Sequence, residues 1–413
     1  MKNLEKQINK IINLYHSKKK GGFRYSLLDD ALSNEDIFKG IEVLIKKKIT
    51  MGQITERFEY EFAKYLNVKH ALMVNSGSSA NLLAAFALVN PKKKNFLKPG
   101  DEFLIQALCW STSLWPLVQA GLKPKFIDVN KDTLNIDEIF FEKSLSKKTK
   151  AAMIVHVLGN SSNISKISKN LKKKNIFLIE DTCESLGTKY NSKYLGTFGD
   201  FGTYSFYYSH QITSGEGGMI VCNDRKDFEI INSLRAHGWD RGINKSSQNQ
   251  RSFNFINSGF NLRPLDITAA IGMNQFKRLN LFKKIRNENR KKIIDALHEA
   301  TSWNNQLTFV NTSNKLEPSW FGLPMLIDKK YAHKKKKYLE ILNKNKIETR
   351  PIISGNFMNQ KSIKLYNLNS KKIKYPEAQD IENRGFFIGL HTRPISKYEL
   401  QNLIKKLLLI ETI

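Results

Sequence analysis

The sequence predicts an α/β fold: a mostly parallel central sheet with helices on both faces, followed by a smaller α+β C-terminal domain. Three observations carry that prediction. Short apolar runs recur from about residue 70, they alternate with helical stretches, and the residues best suited to chemistry stand just after the runs. Such alternation buries a parallel sheet between helical layers, and sheets of this kind gather ligands beyond the carboxyl ends of their strands.

The elements follow in order. Residues 1–35 read as an N-terminal helix and extended arm, with charges spread through the apolar positions and no signal-peptide core. Residues 36–285 form the large domain that holds the motifs. Its first strand is His70–Val74, which meets Asn75-Ser76-Gly77-Ser78-Ser79 and then a helix over Ala80–Val89. Strands follow at Glu102–Gln106 and, after a Ser/Thr/Trp segment, at Lys125–Val129. Lys150–Val157 and Ile176–Ile179 are two more, with a helix over Ile164–Lys174 between them. A long helical pattern runs from Arg263 to about Ala300, and residues 286–413 make the small C-terminal domain.

Composition narrows the function classes. A chain of 413 residues that is 41% hydrophobic can bury a sizeable core. No uncharged apolar stretch reaches the length of a membrane helix. Three cysteines (Cys109, Cys183, Cys222) make neither a disulfide framework nor a four-cysteine iron–sulfur site, and a cytoplasmic location is expected. The net charge of +29 comes from 54 Lys against 13 Arg, scattered in short tracts. Nucleic-acid grips favour concentrated charge and Arg forks, so no nucleic-acid partner is expected. The field suits attraction of an anionic small molecule.

Four features sit where ligands gather. Ser76-Gly77-Ser78-Ser79 joins a strand to a helix, either as a phosphate cradle or as a simple N-cap. Asp181 ends an apolar strand, where it either holds a ring nitrogen protonated or caps the next turn. Trp110 lies flat on such a ring or belongs to the core. The segment Gly199–Gly218 is bracketed by glycines, crowded with hydroxyls and carries one histidine, His210. Imidazole suits proton transfer near neutrality, although a lone histidine is more often structural.

Together, SGSSAN after a strand, IEDTCESLG at a strand end and SFYYSHQITSGEGG, in that order, resemble the DegT/DnrJ/EryC1/StrS sugar aminotransferase family over residues 36 to 400. The resemblance implies the fold of pyridoxal 5′-phosphate (PLP)-dependent transferases of fold type I, aspartate aminotransferase-like, with the large domain binding the cofactor. Family aminotransferases carry, at the position of His210, a lysine that tethers PLP. Here no lysine occurs between Lys193 and Lys226, in a chain where about one residue in eight is lysine. The match is closest to the family's 3-dehydratase branch of the colitose pathway, which also has histidine there.

By position, the resemblance gives Asp181 the pyridinium nitrogen, Trp110 one ring face, and Ser78, Ser79 and Ser205 the phosphate. Asn261 would reach the phosphate from a second subunit, implying a homodimer with shared sites. Glu184 stands where aminotransferases usually have glutamine near the cofactor's 3′-oxygen. Arg350 is a candidate for the substrate's pyrophosphate or a structural ion pair. The activity so implied is removal of the C3 hydroxyl from a nucleotide-linked 4-keto-6-deoxyhexose, with L-glutamate regenerating pyridoxamine 5′-phosphate (PMP) and His210 moving the proton. The rivals are a retained aminotransferase and a CDP-4-keto-6-deoxyglucose 3-dehydrase-like enzyme. The second needs an iron–sulfur cluster, and Gly238–Asn257, where ligands would be sought, contains no cysteine.

Overall fold

A computed structural model describes residues 2–17, 23–28, 32–240, 254–368 and 373–412. The strands are β1 (His70–Val74), β2 (Glu102–Gln106), β3 (Lys123–Ile127), β4 (Thr149–Val155), β5 (Phe177–Asp181), the short hairpin β6 (Lys189–Tyr190) and β7 (Lys193–Tyr194), β8 (Phe201–Ser205) and β9 (Gly218–Cys222). After the helices Arg225–Arg235, Asp266–Phe276 and Leu279–His298 come β10 (Leu307–Phe309), β11 (Leu316–Glu317), β12 (Gly322–Ile327), β13 (Thr349–Arg350) and β14 (Gly385–Gly389).

Seven strands make the central sheet, in the order β1-β9-β8-β5-β4-β2-β3. The pairs from β3 across to β8 are parallel, and β9 alone runs antiparallel to both its neighbours. Parallel neighbours need crossover connections. The chain supplies them as helices such as Gly77–Leu88, Ser111–Gln119 and Ile164–Lys173.

Period-two burial explains the layering. On one face Leu72, Val74, Ile105, Met153, Ile179 and Phe201 pack with the helix Gly77–Leu88. On the other, Met73, Tyr204 and Met219 meet Phe58 and Phe62 of the helix Gln53–Leu66. The alanines of Gly77–Leu88 are almost wholly buried, so this helix lies unusually near the strands.

The sequence expectations shift in several places: the strand expected at Lys125–Val129 lies at Lys123–Ile127, and β8 and β9 are strands the sequence reading does not predict. The strand predicted over Ile176–Ile179 continues to Asp181, so the carboxylate belongs to the ladder, opposite Thr203 of β8. The single helical pattern from Arg263 to Ala300 is two helices, Asp266–Phe276 and Leu279–His298. No Pro or Gly breaks it. The break lies where Asn274, Gln275 and Arg278 all turn to the buried carboxylate of Asp36, on the helix Asn34–Ile45.

β10, β12, β14 and β13 form a four-stranded antiparallel sheet toward the C-terminus. Ahead of the large sheet, the arm at residues 23–28 runs along this C-terminal sheet. Tyr25 makes a parallel bridge with Ile347, its hydroxyl donates to the Gly389 carbonyl at 3.2 Å, and its ring stacks on His391 at 4.3 Å.

Candidate active site

The carboxyl ends of β1, β5 and β8 meet at Gly77. A Cβ there would sit 2.6 Å from Ser205 Cβ and 2.8 Å from Cys183 Sγ. Only glycine lets the start of the helix Gly77–Leu88 press against both the loop after Asp181 and the end of β8. Gly218 serves the same approach from β9, since a Cβ there would lie 2.5 Å from the Ser76 carbonyl. Three motifs spread from Ser76 to Gly218 thus converge through two close contacts.

Ser76 is the N-cap, extended at φ −165°, and its hydroxyl accepts the amide of Ser79 at 3.1 Å. Ser79 is buried and donates to Asn75 Oδ1 at 2.5 Å. Ser78 is exposed, with its hydroxyl 2.9 Å from that of Thr112. The amides of the first helical residues have no intrahelical acceptor, and with Ser78 and Thr112 they offer an anion a set of donors at a positive helix end.

Asp181 is almost fully buried and well supplied with donors. Its Oδ2 accepts Asn81 Nδ2 at 2.8 Å and Ser113 Oγ at 2.7 Å, and its Oδ1 accepts the amide of Cys183 at 3.2 Å. Asn81 is held in turn by the Thr203 hydroxyl at 2.6 Å. The neighbouring Glu180 points the opposite way. It accepts the amides of Gly196, Phe198 and Gly199 and faces His156 Nε2 at 3.1 Å, so its role is to shape the loop before β8.

His210 stands between Tyr207 and Phe321, whose rings meet it edge-on at 5.9 and 5.1 Å. Its Nδ1 is buried and has no hydrogen-bond partner. Burial pulls the imidazole pKa down to about 4, against the opposing pull of the Cys183 and Ser205 carbonyls and the Asp181 charge. At neutral pH the ring is therefore a free base. Glu184 moves the other way: burial, reinforced by the Asp181 charge, pushes its carboxyl up to about 7 although the Leu158 amide donates to Oε2 at 3.1 Å. Gln211 ties the two segments together by donating to the carbonyls of Glu184 and Ser319.

The remaining predicted residues fall in different places. Ser205 ends β8, buried, with its hydroxyl accepting the Tyr207 amide at 3.2 Å. Trp110 caps the helix Ser111–Gln119 and leaves 55% of its surface open. Asn261 lies outside the cluster, exposed and bound to Arg263, one residue before Leu262, whose carbonyl accepts the Asn75 amide. Arg350 is also outside. It is exposed and paired with Glu348 at 2.9 Å, although its β14 neighbour Phe387 packs on Phe321 and so on His210. Gly238–Asn257 lies largely outside the described residues. Among the described residues, no group of three His, Cys, Asp or Glu side chains could hold a metal ion.

Sequence reasoning missed Asn81, Thr112, Ser113 and Thr203. Asn81 closes the SGSSAN motif and Ser113 lies in the Ser/Thr/Trp segment, so the signal was a polar residue inside an apolar helix start. The partners themselves lie far away in the chain.

The cluster suits a phosphorylated pyridine cofactor. It offers an anion-binding helix end, a buried carboxylate for a protonated ring nitrogen, an open indole for a ring face, and an orphaned imidazole nitrogen. The model of the DegT/DnrJ/EryC1/StrS aminotransferase family matches residues 31–407. A GDP-4-keto-6-deoxy-D-mannose 3-dehydratase of Escherichia coli O55:H7 is 38% identical over 365 residues, covering 86% of this chain and 92% of that one. Two solved structures of GDP-4-keto-6-deoxymannose-3-dehydratase superpose closely. A variant with bound GDP-perosamine has a TM-score of 0.86 at 36% identity, over 93% of this chain and all of that one. One with a trapped PLP-glutamate geminal diamine has a TM-score of 0.84 at 35% identity, over 94% of this chain and all of that one.

Proposed function

The chain belongs to the DegT/DnrJ/EryC1/StrS family, and from that premise we propose that it is a PLP/PMP-dependent 3-dehydratase of a nucleotide-linked 4-keto-6-deoxyhexose. L-glutamate regenerates PMP, and the product is a 4-keto-3,6-dideoxy sugar for a surface polysaccharide. The observation that carries this reading is His210, an imidazole at the end of the β8 loop, in a segment with no lysine between Lys193 and Lys226. Without an amine there the cofactor has no covalent tether at this position.

When bound, the cofactor supplies an amine that condenses with a ketone and an electron-poor ring that accepts electron density from the bonds beside it. The chain's own residues do the rest. The carboxylate of Asp181, fixed by Asn81 and Ser113, pairs with the ring nitrogen and keeps it protonated. The helix end at Gly77, with the hydroxyls of Ser78 and Ser205, holds the phosphate. Ser79 supports this turn through Asn75 and Ser76, Trp110 covers a ring face, and Glu184 stands beside Asp181 to hydrogen-bond the ring's 3′-oxygen.

His210 Nδ1 moves the proton. It is unpartnered and basic at neutral pH, so it is free to accept one. Hydroxide is a poor leaving group and must be protonated as it departs from C3. An imidazolium in a site that disfavours its charge gives its proton up readily, so the ring that took the proton returns it to the hydroxyl.

Shared sites in a homodimer complete the proposal. Asn261 is exposed, one residue before Leu262, and Trp110, Tyr207 and Tyr208 leave about half their surface open. A second subunit would cover these rings and present Asn261 to the phosphate. Light scattering would then read twice the chain mass. The cytoplasm fits the free thiols of Cys109, Cys183 and Cys222.

The testing experiment supplies PLP, L-glutamate and a panel of nucleotide-linked 4-keto-6-deoxyhexoses, and measures ammonia against amino-sugar product. The proposal predicts one ammonia per sugar consumed, and a loss of about 100-fold or more in His210→Asn. Amino sugar without ammonia would show an aminotransferase instead.

A further inference from the structure

The helix Leu279–His298 buries Leu279, Phe282, Arg286, Asn289, Ile293 and Leu297, the stripe expected of an amphipathic helix. Two members of that stripe are polar. Asn289 donates to the carbonyls of His391 and Arg393 and accepts the Ile395 amide, which pins the segment after β14. Arg286 needs a different account. It is 2% exposed, yet among the described residues no carboxylate pairs with it. Nε donates to the Leu390 carbonyl at 3.1 Å, Nη2 donates to the His210 carbonyl at 3.3 Å, and Nη1 is buried without a partner.

A guanidinium buried without a counter-ion is costly. A methionine or leucine would fill the same stripe without that cost, so stability alone does not account for it. What the residue contributes is a tie and a charge. We propose that Arg286 is a positioning residue for His210, binding the backbone of the histidine loop to the exit of the C-terminal sheet and setting a fixed positive charge behind the imidazole. The inference rests on the reading of His210 as the proton carrier.

The charge has a definite direction. The Asp181 charge and the Cys183 and Ser205 carbonyls act on the histidine from the β5 and β8 ends and favour an imidazolium, whereas Glu184 meets this loop through its backbone carbonyl, which accepts Gln211. Tyr207 and Phe321 present only rings. Arg286, bonded to the His210 carbonyl, is the cation that counters the Asp181 charge, and it acts with burial to keep the ring free of its proton.

The test compares wild type with Arg286→Met and Arg286→Lys. Side-chain nitrogen NMR follows the His210 titration in the full chain before cofactor is added, and steady-state rates are taken on the loaded enzyme. Arg286→Met should raise the His210 midpoint by about half a pH unit or more. It should also lower kcat about tenfold or more with little change in sugar KM, since a displaced proton carrier slows the step rather than the binding. Arg286→Lys keeps the charge but cannot span both carbonyls, so its midpoint should stay near wild type while kcat still falls. A His210 midpoint unmoved in folded Arg286→Met overturns the proposal. If that variant does not fold, an unchanged kcat in Arg286→Lys overturns it. Should His210→Asn remain active while the midpoint moves as expected, it is the assignment of His210 that fails and not the electrostatic coupling.

Discussion

His210 and Glu184 are half-buried at one site, and the loss of solvent around them moves them in opposite directions, down to about 4 and up to about 7. Each shift is also a dependence of stability on pH. Glu184 is protonated in both folded and unfolded chains below 4.5, its ordinary value. Its folded-state preference for the proton is lost as pH rises through about 7, above which the folded chain must hold a half-buried carboxylate. Glu184→Gln should therefore leave the thermal midpoint unchanged near pH 4.5 and raise it at pH 8, by the equivalent of about 2 kcal/mol for a group that keeps some contact with water. Thermal melts at the two pH values check this, and an equal effect at both would contradict it. His210 has the opposite sign, since its neutral form stabilises the fold above 6.5 and that contribution is lost as pH falls through about 4. At this scale the sequence marks Ser78 and Asp181 through their places at strand ends and His210 through its glycine-bracketed segment, while Ser205 comes from the family resemblance alone. It does not show Asn81 and Ser113 converging on Asp181, because both bonds cross more than 60 positions.

Among the elements, the turn from β1 into the helix Gly77–Leu88 governs the geometry of the phosphate cradle. Gly77→Ala would place a methyl group 2.6 Å from Ser205 Cβ and 2.8 Å from Cys183 Sγ. The helix start must then move away from β8, at about 1–3 kcal/mol of stability, and the hydroxyls of Ser78 and Ser205 no longer face one anion. Fluorescence titration with PLP should show affinity falling further in Gly77→Ala than in Ser78→Ala, which removes a hydroxyl but leaves the backbone donors in place. Equal affinities for wild type and Gly77→Ala would contradict this. Five strands of the central sheet, β1 to β5, are legible as short apolar runs, whereas β8 and β9 lie in and after the glycine-bracketed segment and do not stand out. The long pattern after Arg263 misled, since its break is imposed by Asp36 on a different helix and no local residue announces it.

For the whole molecule, the N-terminal arm binds the first residues of the chain to the last sheet. Tyr25 is fully buried between Lys346–Glu348 and the end of β14, a packing that composition and periodicity could not disclose. Tyr25→Ala should cost about 3 kcal/mol, read as a lower denaturant midpoint, and a change below about 1 kcal/mol would show the arm to be incidental. The arm and the tie through Arg286 both hold the C-terminal sheet, and with it Phe321, against the histidine loop. The central claim, that imidazole has replaced the tethering amine, has its most direct test in the whole protein. Wild type loaded with one equivalent of PLP is reduced with borohydride, and its intact mass and peptides are measured. The account predicts unmodified wild type, and in His210→Lys a stoichiometric adduct at position 210. A stoichiometric adduct at any single lysine of the wild-type chain would contradict it.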